Sequence, residues 1–119
     1  MVLFDPSVGR EYQGCRPALI IQAVEIEKSP LITIIPLTSK TTKAYPSDVF
    51  LKKSKQNLLW KDSIALTRFV TSFDRTRFLN PDGSKPSAGI DPRRIGTIDQ
   101  TAMNKVEASL RVHLGLNNY

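Results

Sequence analysis

The chain holds one cysteine, Cys15, and one histidine, His113, in 119 residues. That scarcity excludes an intramolecular disulfide framework. It leaves no cysteine/histidine set for zinc and no histidine pair for acid–base chemistry within one chain. No apolar run approaches the roughly 18 residues that span a bilayer. The opening residues, Met1 to Pro6, lack the basic flank, apolar core and small-residue cleavage site of a secretory signal. No membrane association is expected, and the cytoplasm is the default compartment. There is also no phosphate-binding glycine loop, dinucleotide fingerprint, zinc-protease helix or calcium loop. If the chain is an enzyme, it is expected to need neither metal nor cofactor.

What is present is positive charge. Seventeen Lys and Arg against eleven Asp and Glu give a formal charge of +6. Such a balance draws polyanions, while leaving open whether the partner is RNA, DNA, a membrane face or an acidic protein. The length fits a single domain, 1–119, with a core large enough to hold without staples.

Apolar and β-branched runs predict short strands at Val2 to Phe4, Ala18 to Gln22, Leu31 to Leu37 and Val49 to Leu51, with two further apolar patches at Ser63 to Leu66 and Phe69 to Phe73. Leu31 to Leu37 is the strongest, and Pro36 predicts an edge position or a bulge near its end. Residues 80–94 hold Pro81, Gly83, Pro86, Gly89 and Pro92 and predict an irregular surface loop. One helix is expected, capped by Asp99, with Met103, Val106, Leu110 and Leu114 as its apolar stripe and Gly115 as its stop. Many short strands, turns between them and one terminal helix predict a mainly β (β-rich α+β) fold, a small barrel or curled sheet with little parallel character.

Several side chains could carry chemistry. Arg16 stands immediately before a strand, where a guanidinium can hold a phosphate through two parallel hydrogen bonds or offset charge on a phosphorane. Glu11 is the nearest upstream carboxylate, able to accept a proton or to orient an arginine; a loop salt bridge with Arg10 or Arg16 is the structural alternative. Thr38 and Ser39, at the end of the central strand, can donate to a phosphate oxygen or cap a turn, and Lys40 follows them. Arg68, Asp74, Arg75 and Arg77 form a charged stretch. Lys52, Lys53, Lys55 and Lys61 form a basic run suited to nucleic-acid backbone rather than bases. Trp60, Phe69, Phe73 and Phe78 are expected mostly in the core, with stacking on bases as the alternative. His113 reads as a helix-end residue, and Cys15 lacks a nearby base that would make it a nucleophile.

The run Val8 to Gln22, with Glu11, Gly14 and Arg16-Pro17 before a hydrophobic strand, resembles the opening signature of the MazF/PemK family, the toxin halves of bacterial toxin–antitoxin pairs. The resemblance continues in order through Ile34 to Ser39, Asp62 to Leu66, Thr71 to Arg75, Ile95 to Ile98 and Leu114 to Leu116. It implies an SH3-like β-barrel with peripheral helices and a C-terminal helix, forming a homodimer. It also implies a metal-independent ribonuclease that cuts single-stranded RNA at short sequences by attack of the 2′-hydroxyl, leaving a cyclic phosphate. A small cognate antitoxin that blocks the RNA groove is the implied partner. Carried over by position, Arg16, Thr38 and Glu11 are the implied catalytic residues, and Arg10, Ser39, Lys40, Arg68, Asp74 and Arg75 the expected RNA-binding ones.

The sequence departs from the family pattern at three places. Arg68-Phe69 stands where an acidic residue and Gln are common, and Thr71 where an arginine is. The 80–94 stretch is longer than the usual link. Met1 lacks the usual Gly-Asp-hydrophobic lead-in, which suggests a missing segment before it. The first departure keeps open a relative that binds nucleic acid or protein without cleaving; separately, distant fold relatives that act on gyrase offer a third reading.

Overall fold

The computed structural model describes residues 2–3, 15–21, 31–40, 45–74 and 96–116, with backbone alone for 2–3 and 15–16. The expected loop at 80–94, along with Arg10, Glu11, Arg75, Arg77 and Phe78, lies outside the described residues.

Strand β4 (Leu31–Thr38) is the spine. Its β-branched residues favour extended backbone, and its two faces enter two separate cores. Ile35 and Leu37 pack with Val49, Leu51, Ala65 and the helical Val106, whereas Ile32 and Ile34 pack with Ala18, Ile20 and Phe73. A strand apolar on both faces must be covered on both. On one edge, β4 pairs antiparallel with β3 (Ala18–Ile20), Ala18 opposite Pro36. On the other edge it pairs with both β6 (Ser63–Ala65) and β7 (Thr71–Asp74). β5 (Val49–Leu51) pairs outside β6, which completes a five-stranded antiparallel sheet. A separate two-stranded ladder joins β1 (Val2–Leu3) to β2 (Cys15–Arg16). With the C-terminal helix described below, this is a mixed α+β fold with no parallel strand pair among the described residues.

Pro36 does not put β4 at an edge, and the irregularity at this point lies on the neighbouring strand opposite it. Leu37 pairs with Ala65 and Ile34 with Thr71. Six residue steps on one strand therefore face three on β4. A 3₁₀ turn, Thr67–Phe69, takes up the excess. The Pro36 carbonyl accepts the Leu66 N–H at 3.0 Å. Its missing N–H falls on the same side, where the ladder is already interrupted, so the proline costs no sheet hydrogen bond.

The helix α1 (Gln100–Leu114) begins and ends where its capping residues dictate. The Asp99 carboxylate accepts the Ala102 N–H at 2.7 Å, and Gly115 closes the helix at φ 69°. Val106 is fully buried, with Ala102 and Leu110 against the same core. The expected stripe stops there: Leu114 is 48% exposed, because the last helical turn runs past the sheet. The helix is also tied by hydroxyls. Buried Thr67 donates to the Ser47 carbonyl at 2.9 Å and lies 2.8 Å from the Ser109 hydroxyl, which itself donates to Ser47.

The long β5–β6 connection is clamped from the other side. Thr97 N–H donates to the Gln56 carbonyl at 3.1 Å. A side chain at Gly96 would place its Cβ 2.5 Å from the Asn57 carbonyl oxygen and 2.8 Å from that of Gln56. Both obstacles are backbone, which cannot rotate away. Gly96→Ala is therefore expected to destabilise the fold by about 1–3 kcal/mol, read as a lower urea midpoint with an unchanged slope. An unaltered midpoint would mean that the two segments are not held this closely.

Candidate active site

The sheet register brings two of the sequence-predicted residues to the same end of β4. Beyond the Ala18–Pro36 pair, the Leu37 N–H donates to the Pro17 carbonyl at 3.1 Å. Arg16, the residue before Pro17, is thereby carried to the end of β4 that holds Thr38, and β2 is in contact with β4. On its other side Arg16 pairs with Val2 in the β1–β2 ladder. The Arg16 backbone thus pairs with β1, and its neighbour Pro17 bonds to β4.

Thr38 is half-buried, and Ser39 and Lys40 after it are exposed. The Thr38 hydroxyl accepts the Lys40 N–H at 3.2 Å, so it caps the turn. Accepting there leaves its own O–H hydrogen to donate elsewhere. Capping and phosphate contact, alternatives on sequence, are compatible in this geometry. In register with Thr38 across β6 and β5 stand Ile64 and Phe50. Ile64 is buried and Phe50 is 46% exposed, giving the row an apolar floor and an aromatic end.

Other expected site residues sit apart. Asp74 pairs with Leu31 at the far end of β4, about 23 Å along the strand from Thr38 at ~3.3 Å per residue. Arg68 lies on the 3₁₀ turn, facing the segment before β5. Its Nε is 3.9 Å from Oδ1 of Asp48, which is 2% exposed, and its guanidinium carbon stands 3.8 Å over the Tyr45 ring. Asp48 also accepts the Tyr45 N–H at 3.3 Å. The Tyr45–Asp48–Arg68 cluster was not singled out in the sequence. Its only sign there is a carboxylate directly before a hydrophobic strand, a placement shared by many surface aspartates.

Two features of the 52–62 connection also differ from expectation. Trp60, expected in the core, is 76% exposed. Leu59 before it packs against the core, while Leu58 is also exposed, at 52%. Lys52 and Lys53, read only as part of a diffuse run, share an open groove of about 340 Å³ with Lys105 of α1. Among the described residues no set of three His, Cys, Asp or Glu side chains is grouped to hold a metal ion.

Comparison with known proteins matches these positions to a family. The sequence model for "PemK-like, MazF-like toxin of type II toxin-antitoxin system" matches residues 1–114. Endoribonuclease MazF9 of Mycobacterium tuberculosis is 26% identical over 119 residues, covering 94% of this chain and 88% of its own. The crystal structure of MazF from Deinococcus radiodurans superposes with a TM-score of 0.71 at 24% identity, over 96% of this chain and 89% of that one. The M. tuberculosis toxin MazF-mt6 superposes with a TM-score of 0.66 at 13% identity, over 88% and 91%.

Proposed function

Since the chain belongs to the PemK-like, MazF-like toxins of type II toxin–antitoxin systems, we propose that it is a sequence-specific endoribonuclease that cleaves single-stranded RNA without a metal and so arrests growth. The observation that supports this reading is the Leu37 N–H bond to the Pro17 carbonyl, which holds the chain beside Arg16 against the end of β4 that carries Thr38. RNA supplies its own nucleophile, the 2′-hydroxyl. The protein then needs only to orient that group, move protons and stabilise the charge that develops on phosphorus.

In this reading Arg16 is the electrostatic stabiliser, since a guanidinium stays protonated and makes a poor base. Thr38 donates its free hydroxyl hydrogen to a phosphate oxygen, held in place by the Lys40 N–H. Glu11 takes the 2′-hydroxyl proton. Arg10, Ser39 and Lys40 hold phosphates beside the scissile bond, and Asp74 and Arg75 contact RNA further away. Arg68 adds field at the site while its main contacts are Asp48 and Tyr45. The expected products carry a 2′,3′-cyclic phosphate and a 5′-hydroxyl.

The reading extends to architecture and partners. The burial of both faces of β4 and the irregularity opposite Pro36 support an SH3-like barrel. A homodimer, an antitoxin that covers the RNA-binding face and a cytoplasmic location complete it.

Its test is the chemistry of the products. Fragments released from RNA should accept phosphate from polynucleotide kinase directly, as 5′-hydroxyl ends do. Fragments that must first be dephosphorylated would assign a different chemistry.

A further inference from the structure

At the end of β4 where Thr38 lies, the chain also presents the 52–62 connection. β6 runs antiparallel to β4 with Ile64 opposite Thr38, so residues before Ser63 extend beyond Thr38 towards the side of Ser39 and Lys40. β5 leaves the same way, Leu51 opposite Ser63. The connection therefore overhangs the end of the sheet that carries Arg16 and Thr38.

This connection is rigidly built. The Lys53 N–H donates to Asp62 Oδ1 at 2.8 Å, and the Asn57 side chain donates to the Lys52 carbonyl at 2.9 Å. Asn57 Oδ1 accepts the N–H groups of Ser54 and Leu59, both at 3.0 Å. Leu58 is held at φ 55°, a left-handed conformation that a non-glycine residue keeps only when its surroundings impose it. Gly96 and Thr97 lock the segment from behind.

On this frame stand a 76% exposed indole, Trp60, and four lysines, Lys52, Lys53, Lys55 and Lys61. None of these ammonium groups is paired with a carboxylate among the described residues. Asp62, the one acid between residues 52 and 62, is taken up with the Lys53 backbone. An exposed aromatic face on a segment with four lysines, none paired with a carboxylate among the described residues, fits a polyanion whose units carry flat rings. It fits single-stranded nucleic acid better than an acidic peptide, which has charge to offer but no ring at each unit.

We propose that the 52–62 connection is a second RNA contact, in which Trp60 stacks on a base flanking the cleavage site and the lysines hold the adjoining phosphates. The inference rests on RNA being the substrate, as argued above. It adds an affinity element separate from the Arg16–Thr38 centre: Trp60 touches no reacting atom and acts on binding.

Trp60 is the sole tryptophan in the chain, so its fluorescence reports the contact directly. A 2′-O-methyl oligoribonucleotide, which has no 2′-hydroxyl to react, should quench it saturably. On a long single-stranded RNA, Trp60→Ala should raise KM about tenfold, the effect of losing one stacked base, with kcat within about twofold of the parent. Trp60→Phe should recover most of the loss. The double change Lys53→Gln/Lys61→Gln should lower the salt dependence of binding by about 1.4, at ~0.7 per phosphate contact on a single strand.

Normal cleavage with an unaltered KM in Trp60→Ala would overturn this inference and leave the RNA-cleaving reading intact. Absence of cleavage by the parent protein would remove that reading. The quenching titration would still decide the contact, and no quenching would overturn it. A lower sedimentation mass for Trp60→Ala with unchanged KM would assign the patch to a second copy of the chain and also overturn it.

Discussion

Replacing Arg16 with alanine is expected to slow RNA cleavage by about 10²–10³-fold, the usual cost of deleting one preorganised donor to a developing anion. The backbone argument makes the effect specific to this arginine. The Leu37 N–H bond to the Pro17 carbonyl and the Val2 pairing hold the backbone around Arg16 near the end of β4 that carries Thr38. Neither contact needs the guanidinium, so the variant should fold as the parent does. Arg16→Lys keeps the charge but not the two-pronged geometry, and is expected to recover only part of the loss. Single-turnover rates with saturating protein separate this from weakened binding. A rate within tenfold of the parent would remove Arg16 from the catalytic centre.

The second large effect is on stability. Arg68→Ala is expected to destabilise the fold by about 2–4 kcal/mol, because it leaves the buried Asp48 carboxylate without this guanidinium and strips the cover from Tyr45. Asp48→Asn alone should cost less, since the amide can still accept the Tyr45 N–H. The double variant should cost less than the sum of the two, which marks a direct coupling. Urea denaturation of the four proteins measures it. Additive losses would show that the two side chains do not interact. This clamp also bears on the departure at Arg68-Phe69. In this chain the position commonly acidic in relatives carries a residue that fastens the 3₁₀ turn to the segment before β5.

Much of the fold could be read from the residues alone, for local reasons. β-branched runs gave β4, and capping chemistry at Asp99 and Gly115 gave both ends of α1. The central position of β4 was hidden, because Pro36 argues for an edge until the 3₁₀ turn opposite it is known. Leu114 continues the helical periodicity, but periodicity does not say where the sheet beneath the helix ends. Composition argues for a buried Trp60, since a large aromatic in a small domain is usually in the core; its 76% exposure is a property of the packed 52–62 connection that the sequence does not encode locally.

The candidate site divides in the same way. Arg16 and Thr38 are candidates by residue type at strand ends, with a catalytic role implied by the family resemblance, and the bond between Leu37 and Pro17 brings the chain beside Arg16 to the Thr38 end of β4. Asp74 has the same kind of chemistry, but the same register carries it to the other end of β4. Asp48 gave no usable signal, since its role depends on Arg68 twenty residues later along the chain.

The most direct test of the central claim is incubation of the purified protein with a long single-stranded RNA in excess EDTA, with the cut sites mapped by primer extension. The account predicts discrete cuts at a short recurring sequence, unaffected by the chelator. RNA that stays intact at high protein concentration, with folding verified, would contradict it.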